Sequence, residues 1–189
     1  DGDWVRMENL IVSWHPERND RVLLGAHYDT RPYPDRDRRD PRGIFLGAND
    51  GASGVAVLME LADSVAELKG TLGVDFVLFD AEEYVFEERR DSYCLGSLFF
   101  ARQYAGSRKA GTISYAYRCG VILDMVGDRN LTIWQEQQSV DWHDTRPVVE
   151  SIWATAKQLR IEEFVPRPKY LINDDHVPLR MTGGIPTCD

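Results

Sequence analysis

Residues 76–83 read Phe-Val-Leu-Phe-Asp-Ala-Glu-Glu, and the rest of the sequence can be interpreted outward from this stretch. Its apolar residues predict a buried β-strand, which acidic residues follow at once. Adjacent carboxylates beyond a buried strand repel each other and lose hydration, so a positive charge is expected near them. A divalent metal ion bound by one glutamate, with the other free to carry protons, would supply that charge. The alternative is a solvated strand end, where acidic side chains cost little.

The composition is that of an ordinary globular protein, and the length of 189 residues suits one domain with a sizeable core. We therefore expect residues 1–189 to belong to a single domain. The formal net charge of −9 argues against a nucleic-acid-binding surface, and no apolar run approaches the roughly 18 residues of a membrane span. The cysteines Cys94, Cys119 and Cys188 lack regular spacing and are expected to be free thiols.

Apolar periodicity predicts strands that alternate with helices. The predicted strands are 8–14, 21–27, 74–80, 119–126 and 131–134, with a last one beginning at Ile185, and the predicted helices are 55–68, 96–105 and 145–159. A turn at residues 16–20 separates the first two strands, which are expected to be neighbours in the sheet. Residues 31–43 are rich in Arg, Asp and Pro and predict a surface loop whose ion pairs contribute little.

This alternation predicts an α/β fold, a three-layer α/β/α sandwich with a mixed, mostly parallel central sheet. In such sheets, ligands bind beyond the carboxyl ends of the strands. Five side chains follow a predicted strand or lie on the turn into a helix: His27, Asp50, Glu82, Glu83 and Asp124. We therefore expect them to converge at one edge of the sheet.

Each candidate also has a structural interpretation. His27, with Asp29 two positions later, suits a metal ligand oriented by a carboxylate, but a hydrogen-bonded structural histidine fits equally well. Asp50, within Asn-Asp-Gly, could instead lie in a turn or cap the next helix. Asp124 ends an apolar strand and needs a partner, whereas residues 174–176, Asp-Asp-His, could simply begin a polar helix. Together, carboxylates with one or two imidazoles are what catalytic zinc sites use.

Five motifs, in this order along the chain, carry a resemblance to a known family. They are GAHYDT at 25–30, GANDGASG at 47–54, FDAEE at 79–83, LGS at 95–97 and LDM at 123–125. Over roughly residues 8 to 189, the sequence resembles a bacterial-type member of the zinc aminopeptidase family that also contains the glutaminyl-peptide cyclotransferases, or glutaminyl cyclases. The resemblance implies a zinc-dependent catalytic domain with a zinc-peptidase-like fold.

If the chain is a two-zinc aminopeptidase, the resemblance implies metal ligands at four positions: His27, Asp50, Glu83 and Asp124. Asp50 would then bridge the two ions, and Asp29 would contact a ligand without binding a metal ion itself. Glu82 would be the general base that activates water.

If the chain is a single-zinc glutaminyl cyclase, the resemblance assigns the metal to Asp50 and Glu83 and a proton shuttle to Glu82. Asp124 and Asp174 would belong to a hydrogen-bond network beside the substrate. The implied cofactor is therefore one Zn²⁺ ion in a cyclase and two in an aminopeptidase.

Two features favour the cyclase branch. Twelve residues, 84–95, separate Glu83 from Gly96, and residues 172–179 are similar to the acidic Asp-Asp-His loop of cyclases. The Asn-Asp-Gly sequence at 49–51 and Glu88, where cyclases carry a pocket tryptophan, favour the peptidase branch. The favoured function is conversion of N-terminal glutamine to pyroglutamate with release of ammonia, on peptide or protein N-termini. The alternatives are a zinc metallo-aminopeptidase and a non-catalytic, metal-free domain of the same fold.

Both enzyme branches take a last zinc ligand from a His-Thr motif after the strand that begins at Ile185, and the sequence ends at Asp189 without one. We therefore expect the C-terminal part of the domain to be missing and the metal affinity of residues 1–189 alone to be reduced. His143 and His176 do not lie in that context. The residues leave the compartment open, and the resemblance points to a periplasmic or secreted location.

Overall fold

A computed structural model describes residues 4–189, which contain seven β-strands and five α-helices. The strands are β1 (Leu10–Trp14), β2 (Asp20–His27), β3 (Gly73–Phe79), β4 (Ala116–Ile122), β5 (Ile133–Glu136), β6 (Phe164–Tyr170) and β7 (Thr187–Cys188). The helices are α1 (Ala52–Ser64), α2 (Leu95–Ala110), α3 (Gln137–Asp141), α4 (Arg146–Leu159) and α5 (His176–Met181).

Five strands form one sheet in the order β1-β3-β2-β4-β7. β1 runs antiparallel to β3, and the other pairings in this sheet are parallel. The prediction of a mixed, mostly parallel central sheet is therefore confirmed. β5 and β6 form a separate two-stranded parallel sheet.

Helices cover both faces of the five-stranded sheet, because successive side chains of a strand point to opposite faces. In β3, Phe76 belongs to the same core cluster as Leu58 of α1, whereas Val77 and Phe79 belong to the cluster of Phe100 in α2. Burying one side chain of this size contributes roughly 1.5–3 kcal/mol, so the two clusters hold the layers on opposite sides of the sheet. The predicted three-layer α/β/α architecture is confirmed.

A buried ion pair joins four strands at the end of the sheet where β2 and β3 begin. Arg21 Nε donates to Asp75 at 2.9 Å, and the hydroxyls of Ser13 and Tyr117 donate to the same carboxylate. Burial alone would raise the pKa of Asp75, but these hydrogen bonds outweigh burial and hold the pKa below its ordinary value. This network stabilises the end of the sheet opposite the clustered candidate residues.

Some predictions about individual elements are wrong. β1 and β2 are not neighbours, because β3 pairs with both and lies between them. α1 ends at Ser64, followed by a 3₁₀ turn, and so stops short of the predicted end, whereas α2 continues beyond it to Ala110. β6 escapes prediction because its two prolines interrupt the strand pattern, which an edge strand tolerates.

The cysteines are free thiols, as their spacing predicted, and Cys94 and Cys188 are buried. Buried thiols of this kind behave as small hydrophobic side chains. Over residues 4–189, the helices are all too short or too polar to cross a lipid bilayer.

Candidate active site

The candidate active site lies where β2, β3 and β4 end. Because β2 lies between β3 and β4 and the three strands are parallel, the loops that leave their carboxyl ends are adjacent. His27 is the last residue of β2, the pair Glu82-Glu83 follows β3, and Asp124 follows β4. Asp50 lies two residues before α1. The structure thus places these side chains at one edge of the sheet.

Three carboxylates surround the imidazole of His27, which is 1% exposed. Its Nε2 lies 3.1 Å from Asp50 Oδ1 and 3.2 Å from Asp124 Oδ1, and its Nδ1 lies 3.4 Å from Asp29 Oδ1. Burial alone would lower the pKa of His27, but the contacts with these carboxylates, that of Asp124 above all, outweigh burial and raise it. The three carboxylates therefore favour a positive charge at this position, which a proton on His27 or a bound metal ion could supply.

A tight turn positions Asp50. The N-cap residue of α1 is Gly51, with φ of 89°, and no side chain in the described part of the chain caps this end of the helix. A Cβ atom on Gly51 would lie 2.8 Å from the carbonyl oxygen of Asp29 and 3.2 Å from Cε1 of His27. Glycine is therefore required for this close approach. The turn interpretation of Asp50 is confirmed, and the helix-capping interpretation is wrong.

Asp29 connects the loop after β2 with the loop after β3. Its Oδ1 accepts a hydrogen bond from the backbone N–H of Glu82, and its Oδ2 accepts one from that of Glu83, both at 3.0 Å. Ala81, directly before the pair, has φ of 55°, a left-handed conformation that is uncommon for a non-glycine residue. Asp29 thus holds the backbone of both glutamates while it faces His27.

Glu83 is buried, and its two carboxylate oxygens have different surroundings. Oε1 accepts a hydrogen bond from Arg31 Nη1 at 3.1 Å, whereas Oε2 is buried and has no hydrogen-bond partner among residues 4–189. Burial and the charge of Asp50 raise the pKa of Glu83, against the opposing effect of Arg31. Glu83, Asp50 and Arg31 line one cavity of about 480 Å³.

Arg31 is one residue near the site that the sequence did not reveal. The expectation of a surface loop with weak ion pairs is wrong for it, because its side chain is 6% exposed and contacts Glu83 directly. The segment around it is polar and aperiodic, so the only available signal was the arginine immediately after the Gly-Ala-His-Tyr-Asp-Thr motif.

Glu82 lies in a second buried group of acids. The thiol of Cys94 donates to its Oε1 at 3.5 Å. Burial, followed by the charges of Asp174 and Asp175, raises the pKa of Glu82 to about 9. A carboxyl group that can hold a proton at neutral pH is suited to general acid–base chemistry.

Residues 174–176 do begin a helix, since Asp175 is the N-cap residue of α5, but their side chains are buried and not solvated. The hydroxyl of Ser97 donates to Asp175 at 2.5 Å, and burial, followed by the charge of Asp124, raises the pKa of Asp174 to about 6. His176 Nε2 lies 3.6 Å from the carboxylate of Glu136, a buried residue that the sequence did not single out.

Side chains with atoms that could bind a metal ion form two groups at this edge of the sheet. In each group, the potential ligand atoms all lie within 4.8 Å of one another: His27 with Asp50 and Asp124, and Glu82 with Cys94 and Asp174. Glu83 belongs to neither group by this distance, but it lines the same cavity as Asp50.

This donor set fits a zinc ion. Carboxylate oxygens and an imidazole are ligands that zinc accepts in catalytic sites. The raised pKa values of Glu82, Glu83 and Asp174 indicate that the edge of the sheet is short of positive charge, which a divalent ion would relieve. The unpartnered Oε2 of Glu83 supplies a buried acceptor for such an ion.

Comparisons with known proteins agree with this chemistry. The model of peptidase family M28 matches residues 9–189. The crystal structure of Fimbriiglobus ruber glutaminyl cyclase is similar to this chain with a TM-score of 0.89 and 35% identity, covering 97% of this chain and 63% of that one. A leucine aminopeptidase precursor from Bacteroides thetaiotaomicron VPI-5482 gives a TM-score of 0.84 and 33% identity, covering 96% of this chain and 63% of that one.

A curated relative, glutaminyl-peptide cyclotransferase of Drosophila melanogaster, is 30% identical over 131 residues, which are 65% of this chain and 33% of that protein. The chain spans between 22% and 37% of the length of the curated relatives that it matches. The similarity thus covers the region that carries the candidate ligands, and both cyclases and aminopeptidases share it.

Proposed function

We propose, because this chain belongs to peptidase family M28, that it carries the active site of a zinc-dependent glutaminyl-peptide cyclotransferase. The substrate is a peptide or protein with an N-terminal glutamine. Its α-amine attacks the side-chain amide carbon, a five-membered lactam closes, and ammonia leaves. The observation that carries the proposal is the buried carboxyl of Glu82, with a pKa raised to about 9, beside the candidate metal ligands.

Asp50 and Glu83 would hold the zinc ion. When bound, it would polarise the amide carbonyl of the substrate's side chain. Arg31 donates to Glu83 Oε1, and Oε2 has no hydrogen-bond partner among residues 4–189, so Glu83 has one oxygen available as a ligand. Support for zinc also comes from the zinc-dependent exopeptidase of Parabacteroides distasonis ATCC 8503, which is 37% identical to this chain with a TM-score of 0.82.

Glu82 would transfer the proton. Its carboxylate takes a proton from the α-amine as the amine attacks, and its carboxyl then donates that proton to the departing ammonia. The first step needs the ionised carboxylate and the second needs the protonated carboxyl, so the pKa of Glu82 must lie near the working pH. Burial and the charges of Asp174 and Asp175 raise this pKa in the metal-free protein, and a bound cation would lower it towards neutrality. The attacking amine is tethered to the amide, so orientation requires little further ordering.

Asp124 and Asp174 would orient the reacting groups. Asp174 is 4% exposed, with a pKa raised to about 6, so it can accept or donate a hydrogen bond near neutral pH. Asp124 is partly exposed beside His27 and can accept from an ammonium or amine of the substrate. These carboxylates would select a free amino terminus by charge.

Aminopeptidase activity is the second candidate. The group of His27, Asp50 and Asp124 has ligand atoms within 4.8 Å of one another, which would suit a second metal ion. In that case, Glu82 would accept a proton from attacking water, and the product would be a free amino acid.

The test is incubation of the purified protein, supplied with zinc, with two peptides that differ only in an N-terminal glutamine or leucine. The proposal predicts pyroglutamyl peptide and ammonia from the first peptide and no cleavage of the second. Release of free glutamine or leucine would replace the cyclase assignment by the aminopeptidase. No product from either peptide, with no bound zinc, would reject enzymatic function for this chain.

A further inference from the structure

Arg31 is a buried cation between two loops of the candidate site. It lies four residues after the end of β2, and its side chain is 6% exposed. A buried arginine is stable only when most of its donors are satisfied. Its partners therefore indicate what it holds in place.

The guanidinium contacts both loops at once. Its Nε and Nη2 donate to the two carboxylate oxygens of Asp35, at 2.5 and 3.1 Å, in a bidentate pair. Its Nη1 donates to Glu83 Oε1 at 3.1 Å and to the hydroxyl of Tyr93 at 3.0 Å, and the guanidinium lies over the Tyr93 ring. The planar fork of arginine fits such an arrangement, which the point charge of lysine cannot reproduce.

The contact with Glu83 is one-sided. Oε1 is engaged by Arg31, and Oε2 is buried without a hydrogen-bond partner in the described residues. The Arg31 contact therefore restrains rotation of the carboxylate and leaves Oε2 as its oxygen without a partner among residues 4–189, in a side chain that lines the same cavity as Asp50.

The charge of Arg31 does not oppose a cation strongly, because Asp35 pairs with it through two hydrogen bonds. Because Asp35 already neutralises the guanidinium, Arg31 affects Glu83 mainly by fixing the orientation of its carboxylate.

We propose that Arg31 is a positioning residue that holds Glu83 by Oε1, so that Oε2 serves as a single-oxygen ligand for the metal ion. This inference rests on the proposed function. It concerns how the metal is bound and adds no step to the reaction. It also predicts that Asp35 and Tyr93 stabilise the metal site through their contacts with Arg31.

The test compares Arg31→Met and Arg31→Lys with Arg39→Met, the replacement of an exposed arginine in the same loop. Zinc affinity is measured by competition with a chromophoric chelator, and the ligand field by the absorption spectrum of the cobalt(II)-substituted protein. Arg31→Met is expected to weaken zinc binding by about 10–100-fold and to change the cobalt spectrum, as for other residues that orient metal ligands. Arg31→Lys should recover only part of the affinity, and Arg39→Met should match the parent protein.

Asp35→Asn provides a second variant that keeps the guanidinium but weakens its bidentate pair. If circular dichroism shows that Arg31→Met does not fold, Asp35→Asn decides, with an expected loss of zinc affinity and a changed cobalt spectrum. Zinc binding by the folded variants within twofold of the parent, with an unchanged spectrum, would overturn the inference and leave the proposed function standing. Absence of zinc binding by the parent protein would reject both.

Discussion

Replacement of Glu82 by glutamine keeps the size and polarity of the side chain but removes its proton-transfer group. General acid–base catalysis typically contributes about 10²–10⁴-fold, so we expect turnover to fall by that factor, equivalent to roughly 3–5 kcal/mol in activation free energy. Zinc content should not change, because Glu82 is assigned no metal contact.

The same substitution should stabilise the metal-free protein. The pKa of Glu82 is raised to about 9 in the folded state, above the ordinary value of a glutamate. The free energy of unfolding therefore decreases as pH rises from the ordinary pKa to the folded-state pKa. At pH 7 the penalty amounts to at most about 3–4 kcal/mol, at about 1.4 kcal/mol per pKa unit, and part of it is shared with the neighbouring acids. Glutamine, which is neutral, removes the penalty and can donate to the adjacent carboxylates.

The assays are ammonia release from a glutaminyl peptide, zinc content, and urea unfolding of the metal-free protein at pH 7. We expect Glu82→Gln to be nearly inactive, zinc-loaded and more stable than the parent protein when metal-free. Turnover within threefold of the parent would refute the proton-transfer role. A large loss of stability would refute the inference that folding raises the pKa of Glu82.

Two further predictions concern the fold that supports the site. The pKa of Asp75 is held below its unfolded value, so its contribution to stability is complete above about pH 4 and is lost as pH falls through the folded pKa. Urea midpoints measured from pH 7 to pH 2.5 should therefore fall more steeply for the parent than for Asp75→Asn. The same pH dependence of the midpoint in both proteins would contradict this. Gly51→Ala should destabilise the protein by about 1–3 kcal/mol in thermal unfolding, because φ is 89° and the new Cβ would meet the Asp29 carbonyl. Gly106→Ala in α2, where a Cβ has open space, should instead stabilise by about 0.5–1 kcal/mol, and equal effects of the two substitutions would refute the conformational argument.

The central sheet and its acidic edge could be predicted because both depend on local signals. The apolar run before Glu82-Glu83 and the run ending near Asp124 identify buried strands whatever their order in the sheet. Parallel strands place their carboxyl ends at one edge, so acids that follow them converge without any knowledge of long-range contacts. The five ordered motifs then narrowed the chemistry to one family, which the comparison with family M28 confirms.

The remaining features depend on pairing between distant positions. A short turn between β1 and β2 suggests adjacent strands, but β3, more than forty residues after β2, pairs with both. Arg31 is buried through Glu83 and Tyr93, which lie 52 and 62 positions away, and nothing local distinguishes it from the exposed arginines of its loop. The raised pKa of Glu82 likewise depends on Asp174 and Asp175, which lie about ninety positions later in the chain, at the start of α5.

The central claim is that acids from separate loops meet at one edge of the sheet around a cation. Anomalous diffraction at the zinc absorption edge, from crystals of the zinc-loaded protein, tests it most directly. We expect a zinc peak about 2.0–2.2 Å from carboxylate oxygens of both Asp50 and Glu83. Zinc bound elsewhere, or no peak between these two side chains at saturating zinc, would contradict the account.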